Sequence, residues 1–368
     1  MSLKEKAYAV YWAAAGVAKP RTTAAFLRDR RRFEADWAAE RAAAEHHTGD
    51  ETSHSPDLSG AAPVLAGLGT AKSLSILPLI EFYPSRPELA GEPGVSYLVT
   101  VDGLRILFDV GRNEREDHPS PLLRNMGALG VSPADVDAVF VSHCHLDHVG
   151  GIAEMRRRTF SLSRGPVDLT GKTAYLPTRM THESATVDVV TGPLKLAEGV
   201  ASTGPITRAL WLMGPVAEQA LLVDVEGKGV VMIVGCGHPL VERLAARAQA
   251  VTGRPLYGVV GGLHFPVTGS RVGKGGQNIL GNGKLPWQRI RRREARATAR
   301  FLAGLDLGLV GLSGHDICDW SLREFAAILG DRCRTLRVGE EIRVGAPGQA
   351  AAAGVALPAD ATASGPAA

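Results

Sequence analysis

The chain has 368 residues, 45% hydrophobic and 21% charged, and a net charge of only +3. That balance is ordinary for a soluble globular protein with one large core plus appendages, and it argues against a chain-wide nucleic-acid binder. Cys144, Cys236, Cys318 and Cys333 are widely spaced with no CxxC pair, which argues against a disulfide framework or a cysteine-based structural zinc site and fits a reducing, cytoplasmic setting.

After Lys4 and Lys6 comes AYAVYWAAAGVA, an apolar run too short to span a bilayer and followed by Lys19-Pro20-Arg21 without a small-residue cleavage site. It reads as a helix packed on the domain, with a peripheral membrane contact as the secondary reading. Residues 24–47 carry Phe26, Phe33 and Trp37 at helical spacing among Ala, Arg and Glu, so an amphipathic helix is expected, with Arg30 to Arg32 on its solvated face. Together, residues 1–47 form a helical extension. Residues 48–73 follow as a linker, and the nearby His46, His47 and His54 stay outside the site for lack of structural context. The Ala/Gly/Pro-rich tail, 346–368, is expected to be disordered.

Between 74 and 345 lies the main domain. SLSILPLIEF, GVSYLVTVDG and LRILFDVG read as successive strands, with a hairpin turn at Asp102-Gly103. LLRNMGALGV reads as a helix, and SPADVDAVFVSH starts with a helix signal and runs into an apolar strand. ALLVDVEGKGVVMIVG is a second hairpin. Then come a helix (PLVERLAARAQAVTG), a strand (LYGVVGG), a longer helix (PWQRIRRREARATARFLAGL), a strand (LGLVGLSG) and SLREFAAILG leading to RTLRVGEEIRV. Strand pairs followed by alternating helix and strand imply an α/β sandwich of two mixed sheets covered by helices.

The densest chemistry lies in VSHCHLDHVGG, 141–151. His143 and His145 follow an apolar strand, where residues i and i+2 point the same way, and make two-thirds of a three-ligand catalytic zinc site. Asp147 and His148 fall on the next turn and can face a second ion, and Gly150-Gly151 permits the tight fold this needs. One such histidine would be better read as a surface or core residue; HxHxDH after a strand would not. Cys144 alternates with the two histidines and is expected to point into the core.

HxHxDH resembles the signature of the metallo-β-lactamase-fold superfamily, and the resemblance runs over residues 74–345. LRILFDVG is similar to the strand pair whose buried aspartate, here Asp109, supports the metal loop. VVMIVGCGH and LYGVVGGLH each end a strand in a glycine turn and a histidine. The branch it is most similar to, through NMGALGVSPADVDAVFVSHCHLDHVGG, EQALLVDVEGKGVVMIVGCGHP and GGLHF, is that of 7,8-dihydropterin-6-methyl-4-(β-D-ribofuranosyl)aminobenzene-5′-phosphate synthase. The resemblance implies a four-layer αββα sandwich with two divalent ions, zinc first and manganese or iron as alternatives. Carried over, the first ion is held by His143, His145 and His238, and the second by Asp147, His148 and His264. Cys236 stands where many members place a bridging aspartate; it is either a soft ligand or a small residue in a Gly-Cys-Gly turn, with a slight preference for proximity without bridging. His182 is the rival third ligand of the first ion. Asp147 and His315 are the candidate catalytic groups, His315 matching the branch's late histidine motif as a substrate-contacting, proton-transferring or structural residue.

Two ions about 3.5–4 Å apart bring the pKa of bound water to ~7 from ~15.7 in bulk, so a metal-bound hydroxide can attack an ester, lactone or phosphodiester or support transfer of a phosphorylated group. The expected substrate is small, anionic, phosphorylated or pterin-like. Lys274, Lys284, Arg289, Arg291, Arg292 and Arg293, in and after the Gly-rich insertion 266–288, are candidates to meet it, with a solvated loop and basic helix as the alternative. Competing readings are a mononuclear iron dioxygenase acting on a persulfide, against which His148 and His264 stand, and a non-catalytic binding protein on the same fold. No nucleic-acid partner is expected, and the sequence says nothing of oligomeric state.

Overall fold

A computed structural model describes residues 3–47, 64–272 and 276–346. The linker expectation over 48–63, the tail from 347 onward, His54, Lys274 and the side chains of His46 and His47 lie outside the described residues. Helices α1 (Leu3–Val17) and α2 (Pro20–His47) form the N-terminal extension; Pro20 opens the second, where its missing N–H costs no helical hydrogen bond. No helix of the described residues is long and apolar enough to cross a membrane, although α1 leaves Val10, Tyr11 and Val17 exposed.

The first half of the domain runs β1 (Ser73–Ile80), β2 (Ser96–Val101), β3 (Leu104–Phe108), α3 (Pro121–Ala128), β4 (Ala138–Phe140), α4 (Ile152–Arg157), β5 (Thr173–Leu176) and β6 (Thr186–Val189). The second half runs β7 (Leu194–Ala197), β8 (Val200–Ser202), β9 (Ile206–Leu210), β10 (Gly214–Glu218), β11 (Leu221–Val225), β12 (Gly229–Val234), α5 (Val241–Thr252) and β13 (Leu256–Gly261). It closes with α6 (Arg292–Gly304), β14 (Leu309–Leu312), α7 (Asp319–Leu329), β15 (Cys333–Thr335) and β16 (Ile342–Gly345). Among the described residues these strands make two seven-stranded sheets, ordered β16-β1-β2-β3-β4-β5-β6 and β15-β14-β13-β12-β11-β8-β7, plus the β9–β10 hairpin.

Three apolar layers hold the sandwich together. Ile76, Val99, Phe108 and Phe140 of the first sheet meet Val223, Val231, Ile233 and Val260 of the second. The outer face of the second sheet packs on α5, α6 and α7 through Val259, Leu244, Ala299 and Phe325, and that of the first on α3 through Leu107, Val139, Leu122 and Met126. Each fully buried Val, Leu, Ile or Phe contributes about 1.5–3 kcal/mol. This is the expected αββα arrangement with an N-terminal helical segment.

One element departs from the sequence expectation. The helix expected from Pro286 begins at Arg292, because Glu294 turns back to accept the Arg291 N–H at 2.8 Å and closes the first turn there. Cys144 packs half-buried against the core beside Met155 of α4, with its Sγ 3.9 Å from the Met155 carbonyl.

Strand direction sets where chemistry can collect. β12, β13 and β14 are mutually parallel, and β4 is parallel to β3 and β5. The loops leaving the C-terminal ends of β4, β12, β13 and β14 carry His143 to His148, Cys236 with His238, His264 and His315, respectively.

Candidate metal centre

Each of these loops is held by a buried carboxylate. In the first, Asp109 accepts from Ser142 N and Ser142 Oγ, both at 2.7 Å, and lies 2.7 Å from His148 Nδ1. Asp109 itself sits at φ +56, off the end of β3. Gly150 takes φ +95, and a Cβ there would lie 2.2 Å from the Ser161 carbonyl oxygen, so only glycine fits.

The second loop, Gly235–His238, is gathered by Glu218 at the end of β10. Its carboxylate accepts from Cys236 N at 2.9 Å and from Gly237 N and His238 N at 2.8 Å each. Desolvation dominates its titration and pushes its pKa up to about 7 despite those bonds. In the third loop, His264 N donates to Asp316 Oδ2 at 2.8 Å. In the fourth, Gly314 N donates to Glu81 Oε2 at 3.1 Å, and burial raises Glu81 to about 7.

Six histidine rings converge on the space so framed. Ring centroids of His143 lie 4.1 Å from His148, 4.6 Å from His145 and 4.9 Å from His238. His148 and His315 are 5.3 Å apart, as are His238 and His264 at 4.9 Å. Their outward nitrogens are committed: His238 Nδ1 donates to the Gly281 carbonyl at 2.9 Å, His264 Nε2 to the Gln277 carbonyl at 2.8 Å, and His315 Nδ1 meets Ser313 Oγ at 2.5 Å. The two carbonyl contacts select the tautomers of His238 and His264, leaving their opposite nitrogens as inward lone pairs.

The ligand atoms fall into groups. His143, His145 and His238 form one, and Asp147, His148, Cys236 and His315 another. His264 falls in a third, with Cys236 and His238, rather than beside Asp147 and His148 as the sequence reading has it. The physical reason is orientation: Gln277 fixes its Nε2, so Nδ1 faces Cys236 and His238. Cys236 Sγ lies 3.2 Å from both His148 Nε2 and His315 Nε2 within the second group, and it also belongs to the third.

The donor set fits divalent ions. His143 Nε2, His145 Nε2 and His264 Nδ1 are buried with no hydrogen-bond partner, a costly state that coordination would relieve. Burial, then neighbouring imidazoles, holds His143 and His238 well below the usual histidine range. Burial also brings His145 and His264 to about 4, so their lone pairs are free at neutral pH. Burial would depress His148 as well, but Asp109 and Asp147 outweigh it and raise it to about 9. The Cys236 thiol is pushed well above its ordinary range by burial and then by Asp316 and Asp147, so a thiolate there calls for an adjacent cation. His145, Asp147 and His264 keep 7%, 8% and 6% exposure while His143, His148 and His315 keep none, which marks the accessible side of the cluster.

His182 is elsewhere. Its ring stacks on Phe160 at 4.3 Å, its Nδ1 accepts from Ser184 N and Ala185 N, and it lines a separate cavity of about 510 Å3. Of the basic candidates, Lys284 pairs with Glu294, and Arg292 lies over the Trp320 ring at 4.9 Å. The sequence reading does not reach Glu81, Glu218, Gln277 or Gly281. The signal for Glu218 was a carboxylate heading the apolar run ALLVDV.

Residues 89–180 match the family model described as the Metallo-beta-lactamase superfamily. The matched stretch carries His143, His145, Asp147 and His148. Over 243 residues the chain is 22% identical to the 7,8-dihydropterin-6-methyl-4-(β-D-ribofuranosyl)-aminobenzene-5′-phosphate synthase of Methanocaldococcus jannaschii, a match spanning 55% of this chain and 81% of that protein. Ribonuclease TTHA0252 of Thermus thermophilus is 31% identical over 121 residues, 32% of this chain and 26% of its own length. Among solved structures, Tm1679, a metal-dependent hydrolase of the β-lactamase superfamily, aligns with a TM-score of 0.51 at 18% identity, covering 74% of this chain and all of that one. That likeness is one of fold.

Proposed function

We propose that this protein is a binuclear metal-dependent hydrolase or group transferase acting on a small phosphorylated or pterin-like molecule. One ion would be held by His143, His145 and His238, the other by Asp147, His148 and His315, with Cys236 as a further donor to the second. The observation that carries the reading is the pair of adjoining donor groups together with the partnerless Nε2 atoms of His143 and His145. Divalent ions there, zinc before manganese or iron, would supply Lewis acidity and an activated water.

The chain's own residues perform the preparatory work. Asp109 orients His148, Ser313 orients His315, and the Gln277 and Gly281 carbonyls orient His264 and His238. His315, wholly buried and in the second group, acts as a ligand rather than as a proton carrier to substrate. Asp147 and His145, on the accessible side, face the substrate. A complete second donor group favours this reading over a single-iron dioxygenase, and the phosphorylated product for which the archaeal relative is named motivates the substrate class.

Metal analysis tests the first part: about two equivalents of zinc or manganese, reduced in His145→Ala, are expected. One iron with persulfide-dependent oxygen uptake would sink the assignment, and no metal under any loading condition would sink any metal-dependent chemistry. The metal-loaded protein assayed against phosphodiesters, lactones and pterin phosphates tests the substrate class; turnover confined to lactones would overturn it.

A further inference from the structure

A cavity of about 260 Å3 lies between α2 and β9, lined among others by Arg30, Phe33, Glu34, Trp37, Arg41 and Arg208. None of the clustered histidines lines it. It lies behind the His238 backbone: the His238 carbonyl accepts from Arg208 Nη1 at 2.7 Å, while His238 Nε2 lies 3.1 Å from His145 Nδ1.

Arg208 is the unusual group. It is half-buried, forms no ion pair among the described residues, and faces the Phe33 ring at 5.2 Å. The carboxylates that act on it electrostatically are engaged elsewhere. Glu34 accepts from Arg30 Nε at 2.8 Å, Glu242 from Thr298 Oγ1 at 2.5 Å, and Glu294 from Lys284 and the Arg291 N–H. Burial, then the like charge of Arg30, lowers the Arg208 pKa to about 10. Arg208 spends its Nη1 on His238, and its Nε and Nη2 hold no hydrogen bond among the described residues; such an arginine fork suits a phosphate or carboxylate, which it can bind through paired N–H donors. Trp37 and Phe33 add ring surface in the same cavity. The volume is below the roughly 300 Å3 at which drug-sized sites begin, so it admits about one ring and its substituent.

We propose that this cavity, formed where the N-terminal extension meets the catalytic domain, is a second ligand site that binds a small aromatic anion, one ring carrying a phosphate or carboxylate, with Arg208 as its principal anchor. The site stands independently of the metal reading. A protein that binds no metal would leave it intact.

Calorimetric titration of the full metal-loaded chain with phenyl phosphate tests it, with benzoate and inorganic phosphate run in parallel. A saturable binding component that persists in His145→Ala, distinct from any at the metal centre, is expected, and it is weakened about tenfold or more in Arg208→Gln. Trp37→Ala should weaken phenyl phosphate and leave inorganic phosphate as it was. If circular dichroism shows Arg208→Gln misfolded, Arg208→Lys, which keeps the charge and loses the planar fork, supplies the comparison. The inference is overturned by absence of saturable binding, by wild-type affinity in the folded arginine variants, or by loss of binding in a natively folded His145→Ala, which would place the probe on the metals.

Discussion

Replacing Gly261 by alanine places a methyl group where the backbone leaves no room. Gly261 ends β13 at φ +125, and a Cβ there would lie 1.9 Å from the Val234 carbonyl oxygen and 2.9 Å from its carbon. Both obstacles are backbone atoms of the neighbouring β12, so no side-chain rotation relieves the overlap. The backbone conformation costs an alanine about 1–3 kcal/mol, and forcing two packed strands apart about 1–3 kcal/mol more. Gly262 N donates towards Val234 O at 3.3 Å and Gly235 O at 3.1 Å, so separating the strands weakens those contacts by about 1 kcal/mol. The expected sum is roughly 3–7 kcal/mol, a large share of the about 5–15 kcal/mol that stabilises a typical domain. Urea unfolding followed by circular dichroism measures it. Gly304→Ala, at the end of α6 with nothing within 4 Å of its Cβ, is the control and should be neutral or slightly stabilising. A Gly261→Ala protein within about 1 kcal/mol of wild type would refute the steric reasoning.

Glu81 gives a pH test. Its folded pKa is raised to about 7, so its contribution to stability is full below the unfolded value near 4.5 and is lost as pH rises through 7. The stability difference between Glu81→Gln and wild type should therefore shift towards the variant by up to about 1.4 kcal/mol per pH unit between those limits; a pH-independent difference would contradict it. His182→Ala should keep the wild-type metal content while losing about 1–2 kcal/mol through the orphaned Ser184 and Ala185 N–H groups. Loss of one metal equivalent would return His182 to the ligand set. Cys236→Ala should weaken binding of one ion about 10- to 100-fold by competition with a chelator, and unchanged affinity would show that the thiol only fills space.

The parts of the site legible in the sequence are those whose geometry is local. His143, His145, Asp147 and His148 lie within six residues of one another after a strand, and His238 and His264 each end an apolar run in a glycine turn. That last pattern also fits LVGLSGH, so sequence alone does not rank His264 against His315. The ranking comes from the insertion, where Gln277 fixes one nitrogen of His264. The supporting carboxylates are non-local: Glu218 reaches its loop from 18 residues away and Glu81 from 233. The sandwich was legible from its long apolar strands. The stretch from β5 to β10 was not, because its strands have three to five residues and β6 alternates only exposed with half-buried positions.

The insertion over the histidines touches them mainly through its main chain: the Gln277 carbonyl receives His264 and the Gly281 carbonyl receives His238. Every residue type carries a carbonyl, so the proton positions on these two imidazoles do not depend on which side chains the insertion displays. Gly281 is an exception, since a Cβ there would meet His264 Cε1 at 2.5 Å. The segment can therefore exchange side chains while these two imidazoles keep their lone pairs aimed inward. Main-chain support of this kind leaves the segment's sequence free to vary at most positions, whereas a change at Gly281 would displace the His264 ring itself.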